Sequence, residues 1–391
     1  MKSTISTIIL YCTIYCITTL LFKVANSSTS RKKTKRYMAV GIAIMAILAC
    51  CRDISVGTDT EGTIIEYYYD QIGKSIVTDG VLSFLHSDVP FFLISNILHF
   101  LHLGERVFLL VLELLILIPV GIVAYKKRDV IPIHYTMLIF SILYYQTGFN
   151  WIRQSEASAF TLLALIYFQE KKFTKAVALS LVGIMIHTAA LIGIALLLFV
   201  YAFMRIKNKY KKMLFGVVFM ALFLYLISRW EYIFSFAIER GILPTSFSGY
   251  FRVFSGQTRV ENWFKIGKKT YVDYIIRVLI VVLPIFASKK LIDESEVKNT
   301  SYYKVVSLMG LIIYSYVFFA LQSPYGNRIS YSIEYVQILN LGVCCAPHDT
   351  KKIKISLRNI LVIGLAIAYN IWLYYVLGWH DTVPFAFRLG L

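Results

Sequence analysis

Residues 106–125 read RVFLLVLELLILIPVGIVAY, and Lys126, Lys127 and Arg128 follow directly. A helix needs about 20 apolar residues to cross the hydrocarbon core of a bilayer. Lysine and arginine beside such a segment favour its cytoplasmic side. This stretch therefore predicts a transmembrane helix whose C-terminal end faces the cytoplasm.

The composition of the whole chain is that of a membrane protein. Of the 391 residues 58% are hydrophobic and only 16% are charged, and the mean hydropathy is +0.66. Soluble proteins have about half apolar residues and about a quarter charged ones. The net charge of +18 does not indicate a nucleic-acid partner, because a nucleic-acid binder spreads its basic residues over a polar surface.

Twelve segments are apolar enough to span a bilayer, or nearly so. They are 4–22, 37–51, 106–125, 131–147, 155–169, 173–186, 187–204, 213–229, 271–287, 303–321, 329–346 and 359–377. Six basic clusters separate them, at 23–36, 126–128, 171–175, 205–212, 289–304 and 351–358. The positive-inside rule places all six clusters in the cytoplasm. The sequence thus predicts an all-α integral membrane protein, one polytopic domain over 1–391 with about 12 transmembrane helices and both termini outside.

The first outer segment, residues 52–105, is expected to contain helices that lie on the membrane surface. Within it Ser95, His99 and His102 form one polar stripe on an otherwise apolar stretch, which is typical of an interfacial helix. A second large outer loop covers residues 230–270 and is rich in aromatic side chains.

The segment 173–204 is basic at both ends and too short for two full crossings. We expect two short helices joined at His187–Ala190, below the outer surface. Irregular backbone at that depth requires surrounding protein or a water-filled cavity. This pattern predicts a cavity open to the outer side.

The kind of basic residue differs between the two sides. This topology puts ten of the fifteen arginines outside and twenty of the 25 lysines inside. Arginine binds phosphate and carboxylate through a planar fork of donors, so the bias predicts an anionic, phosphate-bearing substrate at the outer face. The candidate ligands are Arg52, Arg153, Arg259, Arg277 and Arg328. The alternative for each is an ion pair with a neighbouring acid, as Asp273 offers Arg277.

Several other polar groups could take part in chemistry. Gly57 permits a turn that holds Asp59 and Glu61, and these acids could supply a general base or bind a divalent metal. Two carboxylates alone do not define a metal site, and we predict none. The stretch Gly148–Gln154 begins a helix, and helix N-termini attract phosphate. Further candidates are His187 at the hairpin tip and, inside the spans, Glu113, Glu156 and Glu334.

The order of these motifs resembles that of the EpsG-type, Wzy-like polymerases of bacterial exopolysaccharide and O-antigen. The residues that carry the resemblance are Arg52, Gly57-Thr58-Asp59, Tyr68, Phe149-Asn150, Arg153-Gln154, His187-Thr188-Ala189-Ala190 and Arg328. The likeness covers roughly residues 40–345.

The resemblance implies a glycosyltransferase in the bacterial cytoplasmic (inner) membrane, similar in architecture to the membrane C-type glycosyltransferases. At its periplasmic face it would transfer a growing glycan from undecaprenyl pyrophosphate to a new lipid-linked repeat unit. The donor is already activated, so no cofactor is implied. The bilayer, the lipid-linked glycans and a chain-length regulator protein are the implied partners.

The same resemblance suggests roles for the candidate residues. Arg52, Arg153 and Arg328 would bind pyrophosphate and stabilise its developing charge, and His187 or Asp59 would remove the acceptor proton. The remaining candidate substrate-binding residues are Arg259, Arg277, Gln154, Glu156, Asn150 and Trp263.

Two groups of alternatives remain open from the sequence. Another polyprenyl-linked sugar transferase, or a ligase that joins polymer to a lipid core, would show the same outer arginine bias. A flippase or transporter would instead place polar groups along a whole transmembrane path with access from both faces.

Overall fold

The computed structural model describes residues 2–69, 89–240, 268–287, 294–316, 318–319, 326–345 and 357–388. Within these ranges the regular structure is helical, and β pairing is limited to an isolated bridge between Arg52 and Phe387. The predicted all-α architecture is therefore confirmed for the described part of the chain.

Helices of the first half follow the predicted apolar segments. They are α1 (Lys2–Ser27), α2 (Arg31–Cys50), α3 (Thr58–Thr63), α4 (Val89–Phe100), α5 (Glu105–Lys126), α6 (Ile133–Phe140), α7 (Ile152–Gln169), α8 (Phe173–Ile186) and α9 (Ala189–Arg205). Two of them continue as π-helical turns, α3 into Ile64–Tyr69 and α6 into Ser141–Tyr145.

Helices of the second half continue the same pattern. They are α10 (Lys209–Ser228), α11 (Trp230–Glu239), α12 (Lys268–Ala287), α13 (Glu294–Tyr316), α14 (Gly326–Glu334), α15 (Val336–Cys345) and α16 (Leu357–Asn370), which ends in a π-helical turn, Ile371–Val376. Residues 230–239 of the predicted outer loop are thus helical, and 241–267 lie outside the described residues.

Helix α7 is buried among its neighbours and positions the candidate site. It contacts α5, α8, α9 and α14. Its small residues Ala157 and Ala159 let neighbouring helices approach closely, and a Cβ added to Gly183 of α8 would lie 3.4 Å from the Ala157 carbonyl oxygen. Polar side chains are buried along the same helix, among them Ser155 and Glu156. The N-terminus of α7 is therefore held in a fixed place.

The number of membrane crossings stays a prediction. Two helices of the described chain, Thr4–Ser27 and Glu105–Lys126, are long and apolar enough to cross a bilayer. Shorter apolar helices occur at Pro90–Phe100, Ile133–Tyr145, Phe173–Ile186, Ala189–Arg205 and Ile360–Val376. The second of these long helices contains the apolar stretch 106–125 and ends at Lys126.

The break within 173–204 and the helix α4 of the first outer segment both occur as predicted. The side chains of α4 make a contact that the sequence does not predict. The chain breaks between α8 and α9 at His187 and Thr188, as the sequence predicts. In α4, Ser95 donates a hydrogen bond to the Tyr68 carbonyl (3.2 Å), and His99 Nε2 lies 2.7 Å from the same oxygen. Two residues of the polar stripe therefore hold the π-helical turn after α3, and exposed His102 does not share this contact.

Hydrogen bonds between distant segments show which helix ends lie together. At one end Asn26 accepts from the backbone N–H of Ile133 at 2.9 Å. Lys126, seven residues before Ile133, has its Nζ 2.8 Å from the Glu170 carboxylate, which also pairs with Lys172. These contacts connect residues in or beside three of the basic clusters. Their association agrees with a common cytoplasmic side.

At the opposite end of the helices, the start of α1 lies beside the last described residues. Here residues 378–388, which we name the C-terminal segment, fold back over the start of α1 and the loop after α2. Asp53 N–H donates to the Ala386 carbonyl at 2.8 Å, and Phe385 N–H donates to Thr7 Oγ1 at 2.8 Å.

Candidate active site

A polar cavity of about 270 Å³ opens where three separate segments meet. Its walls are α3 with its π-helical turn, the start of α7, and the break between α8 and α9. The lining residues are Thr58, Asp59, Gly62, Thr63, Glu66, Tyr67, Asn150, Trp151, Ile152, Arg153, Gln154 and His187. Among them are Asp59, Asn150, Arg153, Gln154 and His187, which the sequence singled out as site residues.

The loop after α2 and the first turn of α3, which carries Asp59, are together named the Asp59 loop, and a glycine turn fixes them. Gly57 has φ +91°, and a Cβ at this position would lie 2.3 Å from the Phe149 carbonyl oxygen. The close approach allows Thr60 Oγ1 to donate to that carbonyl at 2.9 Å. Asp59 N–H donates to Asn150 Oδ1 at 3.0 Å. The backbone of the acid is thereby tied to the turn that begins α7.

Arg153 lies in the first turn of α7 and lines the cavity. Its guanidinium stacks over the Tyr67 ring, 4.9 Å from the centroid. The helix N-terminus adds backbone N–H groups and a partial positive charge. This combination suits a phosphate-bearing ligand, and the carboxylates of Asp59 and Glu66 line other parts of the same cavity.

The hydrogen bonding of His187 constrains its chemistry. The residue is extended (φ −157°, ψ 125°) between α8 and α9, and its Nδ1 accepts a hydrogen bond from Ala189 N–H at 3.1 Å. An accepting Nδ1 carries no proton, so neutral His187 has its proton on Nε2. In this state the ring can donate from Nε2, whereas its basic nitrogen is already occupied.

Two carboxylates are buried beneath the cavity. Glu156 is one turn into α7 and has 0% exposure, and both of its oxygens lack a hydrogen-bond partner within the described residues. Glu113 of α5 is also buried, and its Oε1 has no partner there either. Neither residue lines the cavity. The predicted substrate contact of Glu156 would thus require a rearrangement of α7.

Arg52 is placed behind the cavity wall. It is 2% exposed, and burial lowers the pKa of its guanidinium. Nη1 donates to the Ala49 carbonyl at 2.7 Å, Nε lies 3.4 Å from Thr60 Oγ1, and the group stacks on Phe149 at 4.6 Å. In this position Arg52 supports the Asp59 loop from below.

Arg277 belongs to a second, smaller cavity of about 60 Å³. It pairs with Asp273 through Nε (3.2 Å) and with Glu334 through Nη1 (3.2 Å). The alternative reading of Arg277 as an ion pair with Asp273 is therefore confirmed. Trp151 lines both cavities.

Three predicted residues cannot be placed in the site. Arg259 and Trp263 lie outside the described residues. Arg328 is in the first turn of α14, as expected for the start of a late helix, and its side chain is likewise outside the description.

Sequence reasoning missed one residue that contacts the site. His380 of the C-terminal segment is 8% exposed, and its Nδ1 lies 2.6 Å from Asn150 Nδ2. Its ring also packs edge-on against Trp151, with the centroids 5.0 Å apart. The available signal was Gly378-Trp379-His380-Asp381, a polar and aromatic turn directly after the last apolar segment.

Comparison with known proteins gives one match. The model of the EpsG family matches residues 35–387, which include every described residue of the cavity and the C-terminal segment as far as Phe387. Neither the curated proteins nor the solved structures contain a match. Because the family model covers most of the chain, this protein belongs to the EpsG family, a family of Wzy-like polymerases.

Proposed function

We propose that this protein polymerises oligosaccharide repeat units carried on undecaprenyl pyrophosphate, at the periplasmic face of the bacterial cytoplasmic membrane. Membership of a polysaccharide polymerase-type family supports the general activity. The observation that carries the specific proposal is the polar cavity, in which a carboxylate, an arginine and a histidine from three segments line one space.

The proposed reaction is a single displacement at the anomeric carbon of the donor glycan. A hydroxyl oxygen of the acceptor repeat unit forms a bond to that carbon, while the bond from the carbon to the pyrophosphate oxygen breaks. The electron pair leaves with undecaprenyl pyrophosphate, and the hydroxyl proton passes to Asp59. Attack opposite the leaving group inverts the configuration.

The basic groups of the cavity are assigned to the leaving group. Arg153 and the N-terminus of α7 would bind the pyrophosphate, and His187 would donate to it from Nε2. These donors would stabilise the negative charge that grows as the bond breaks. The amides of Asn150 and Gln154, which also line the cavity, would contact sugar hydroxyls.

The test is a deletion strain that carries the Arg153→Lys variant. Lysine keeps the charge but loses the planar fork that binds phosphate through two bonds. We expect long-chain polymer to disappear and single-repeat material to remain, as seen on a polysaccharide gel. Normal chain length would contradict the proposal, and unattached long polymer would indicate a ligase instead.

Arg240→Lys is the matched control. Arg240 is exposed and, like Arg153, stacks on an aromatic ring, with its guanidinium 5.3 Å from the centroid of Phe236. It does not line the polar cavity. The same substitution at this position should leave the polymer unchanged.

A further inference from the structure

We propose that His380 is a positioning residue of the candidate active site: through Asn150 it holds the Asp59 loop against the start of α7. This inference rests on the proposed function for its catalytic consequence. It assigns a role to the C-terminal segment, which contributes no residue to the lining of the polar cavity.

The C-terminal segment is bound to the loop before α3 at several points. Gly57 N–H donates to the Asp381 carbonyl at 3.0 Å, and Thr58 Oγ1 donates to the Asp381 carboxylate at 3.2 Å. Arg388 N–H donates to the Cys51 carbonyl at 3.2 Å. The loop that carries Asp59 therefore lies between the C-terminal segment on one side and α7 on the other.

Asn150 connects these two sides. Its Oδ1 accepts from Asp59 N–H, which fixes the orientation of the amide and directs Nδ2 to His380. Because Nδ2 can only donate, His380 Nδ1 must be the acceptor. The amide is thus held at both ends, by His380 and by the Asp59 backbone.

The backbone of His380, like that of its neighbour Asp381, has a positive φ. Its φ of 70° places it in the left-handed region, which glycine and asparagine tolerate best. Trp151 packs against the ring edge, and Tyr374 lies on another side with its centroid 6.0 Å away. These contacts set the direction of Nδ1 towards Asn150.

Loss of this acceptor would release one end of the Asn150 amide. The Asp59 backbone would then lose a fixed partner, and its carboxylate could shift within the cavity. Misplacement of a catalytic group by about 1 Å can reduce the rate by about 100-fold. The effect on the reaction would run through position, since His380 itself does not line the polar cavity.

Two substitutions separate the acceptor from the backbone conformation. His380→Asn keeps tolerance for the left-handed backbone and places an oxygen near the position of Nδ1. His380→Gly tolerates the backbone but has no acceptor. We expect the asparagine variant to make long polymer and the glycine variant to lose polymerisation by about tenfold or more. If the glycine variant does not accumulate, His380→Gln replaces it, because its longer side chain carries the acceptor away from Nδ1.

The control is the same pair of substitutions at His102. This residue also has a positive φ, 53°, and is exposed. His102→Asn and His102→Gly should both polymerise normally. The proposal would be overturned if His380→Asn and His380→Gly made the same amount of long polymer, whether that amount is normal or equally reduced in both.

A second readout follows the loop without depending on activity. Thr63 lines the cavity and is 7% exposed, so Thr63→Cys should react slowly with a maleimide, as measured by mass spectrometry of the labelled peptide. The labelling rate of Thr63→Cys should rise when His380→Gly is added to the same chain. It should stay unchanged when His380→Asn is added instead. Unchanged labelling in both would overturn the positioning role. If Arg153→Lys polymerises normally the proposed function fails, whereas this labelling difference still decides the role of His380.

Discussion

His187 is the residue whose role the hydrogen bonds define most closely. Nδ1 accepts from Ala189 N–H and so satisfies a donor at the start of α9. The proton of the neutral ring is therefore on Nε2. The sequence suggested either His187 or Asp59 as the base, and this division of the two nitrogens favours Asp59.

The two ring nitrogens of His187 can be tested separately. The Asn side-chain oxygen can replace Nδ1 as the acceptor, but Asn places no donor at the position of Nε2. Gln, which is longer, carries an amide N–H near that position. If His187 donates to the leaving group, His187→Asn should lose about 10²–10³ in rate, the usual effect of removing one such donor. His187→Gln should lose less. The rates would be measured in membranes supplied with lipid-linked repeat units.

Equal and large losses in both variants would instead identify His187 as the base, because neither amide can accept a proton. His102→Asn and His102→Gln are matched controls on an exposed residue of the same type. The ratio of the rates of His187→Asn and His187→Gln distinguishes a donor to the leaving group from a general base, and neither rate alone does so.

At the scale of elements, the turn at Gly57 determines how closely α3 can approach Thr147–Phe149, the 3-10 turn that precedes α7. Its φ of +91° is unfavourable for any other residue, and a Cβ would meet the Phe149 carbonyl oxygen at 2.3 Å. The clash is with backbone, so a side-chain rotation cannot relieve it. Glycine is therefore required here for two independent reasons.

Gly57→Ala should lower the free energy of unfolding by more than about 1 kcal/mol and weaken polymerisation. Thermal unfolding of the purified protein in detergent measures the first effect. Gly104→Ala is the matched control, since Gly104 also precedes the first residue of a helix but has φ −76° and no atom within 4 Å of an added Cβ. If the two variants unfold at the same temperature, the turn does not limit the fold.

The elements were more predictable than their contacts. Apolar runs and basic clusters predicted the helices and the break at His187 because these are local patterns. The polar stripe of α4 predicts an interfacial helix, but not that Ser95 and His99 lie within hydrogen-bond distance of the Tyr68 carbonyl. The contact of His380 with Asn150 joins residues 230 positions apart. Such contacts leave no local pattern in the sequence.

At the scale of the molecule, the outer arginines have more than one role. Arg153 lines the polar cavity, whereas Arg52 and Arg277 are held by carbonyl, carboxylate and aromatic groups inside the bundle. Arg106 donates to the Arg388 carbonyl at 2.6 Å and so helps to hold the C-terminal segment. The planar fork suits arginine to these internal contacts as well as to phosphate. The arginine bias is thus partly structural.

The orientation of the whole molecule decides on which side of the membrane this cavity opens. Ser55 is exposed in the loop beside the C-terminal segment, and Lys172 is exposed in the basic turn after α7. In spheroplasts, a membrane-impermeant maleimide should label Ser55→Cys directly and Lys172→Cys only after permeabilisation. The two positions control for each other, since each must react in permeabilised cells. Reversed labelling would put the cavity on the cytoplasmic side, where a periplasmic polymerase could not use it.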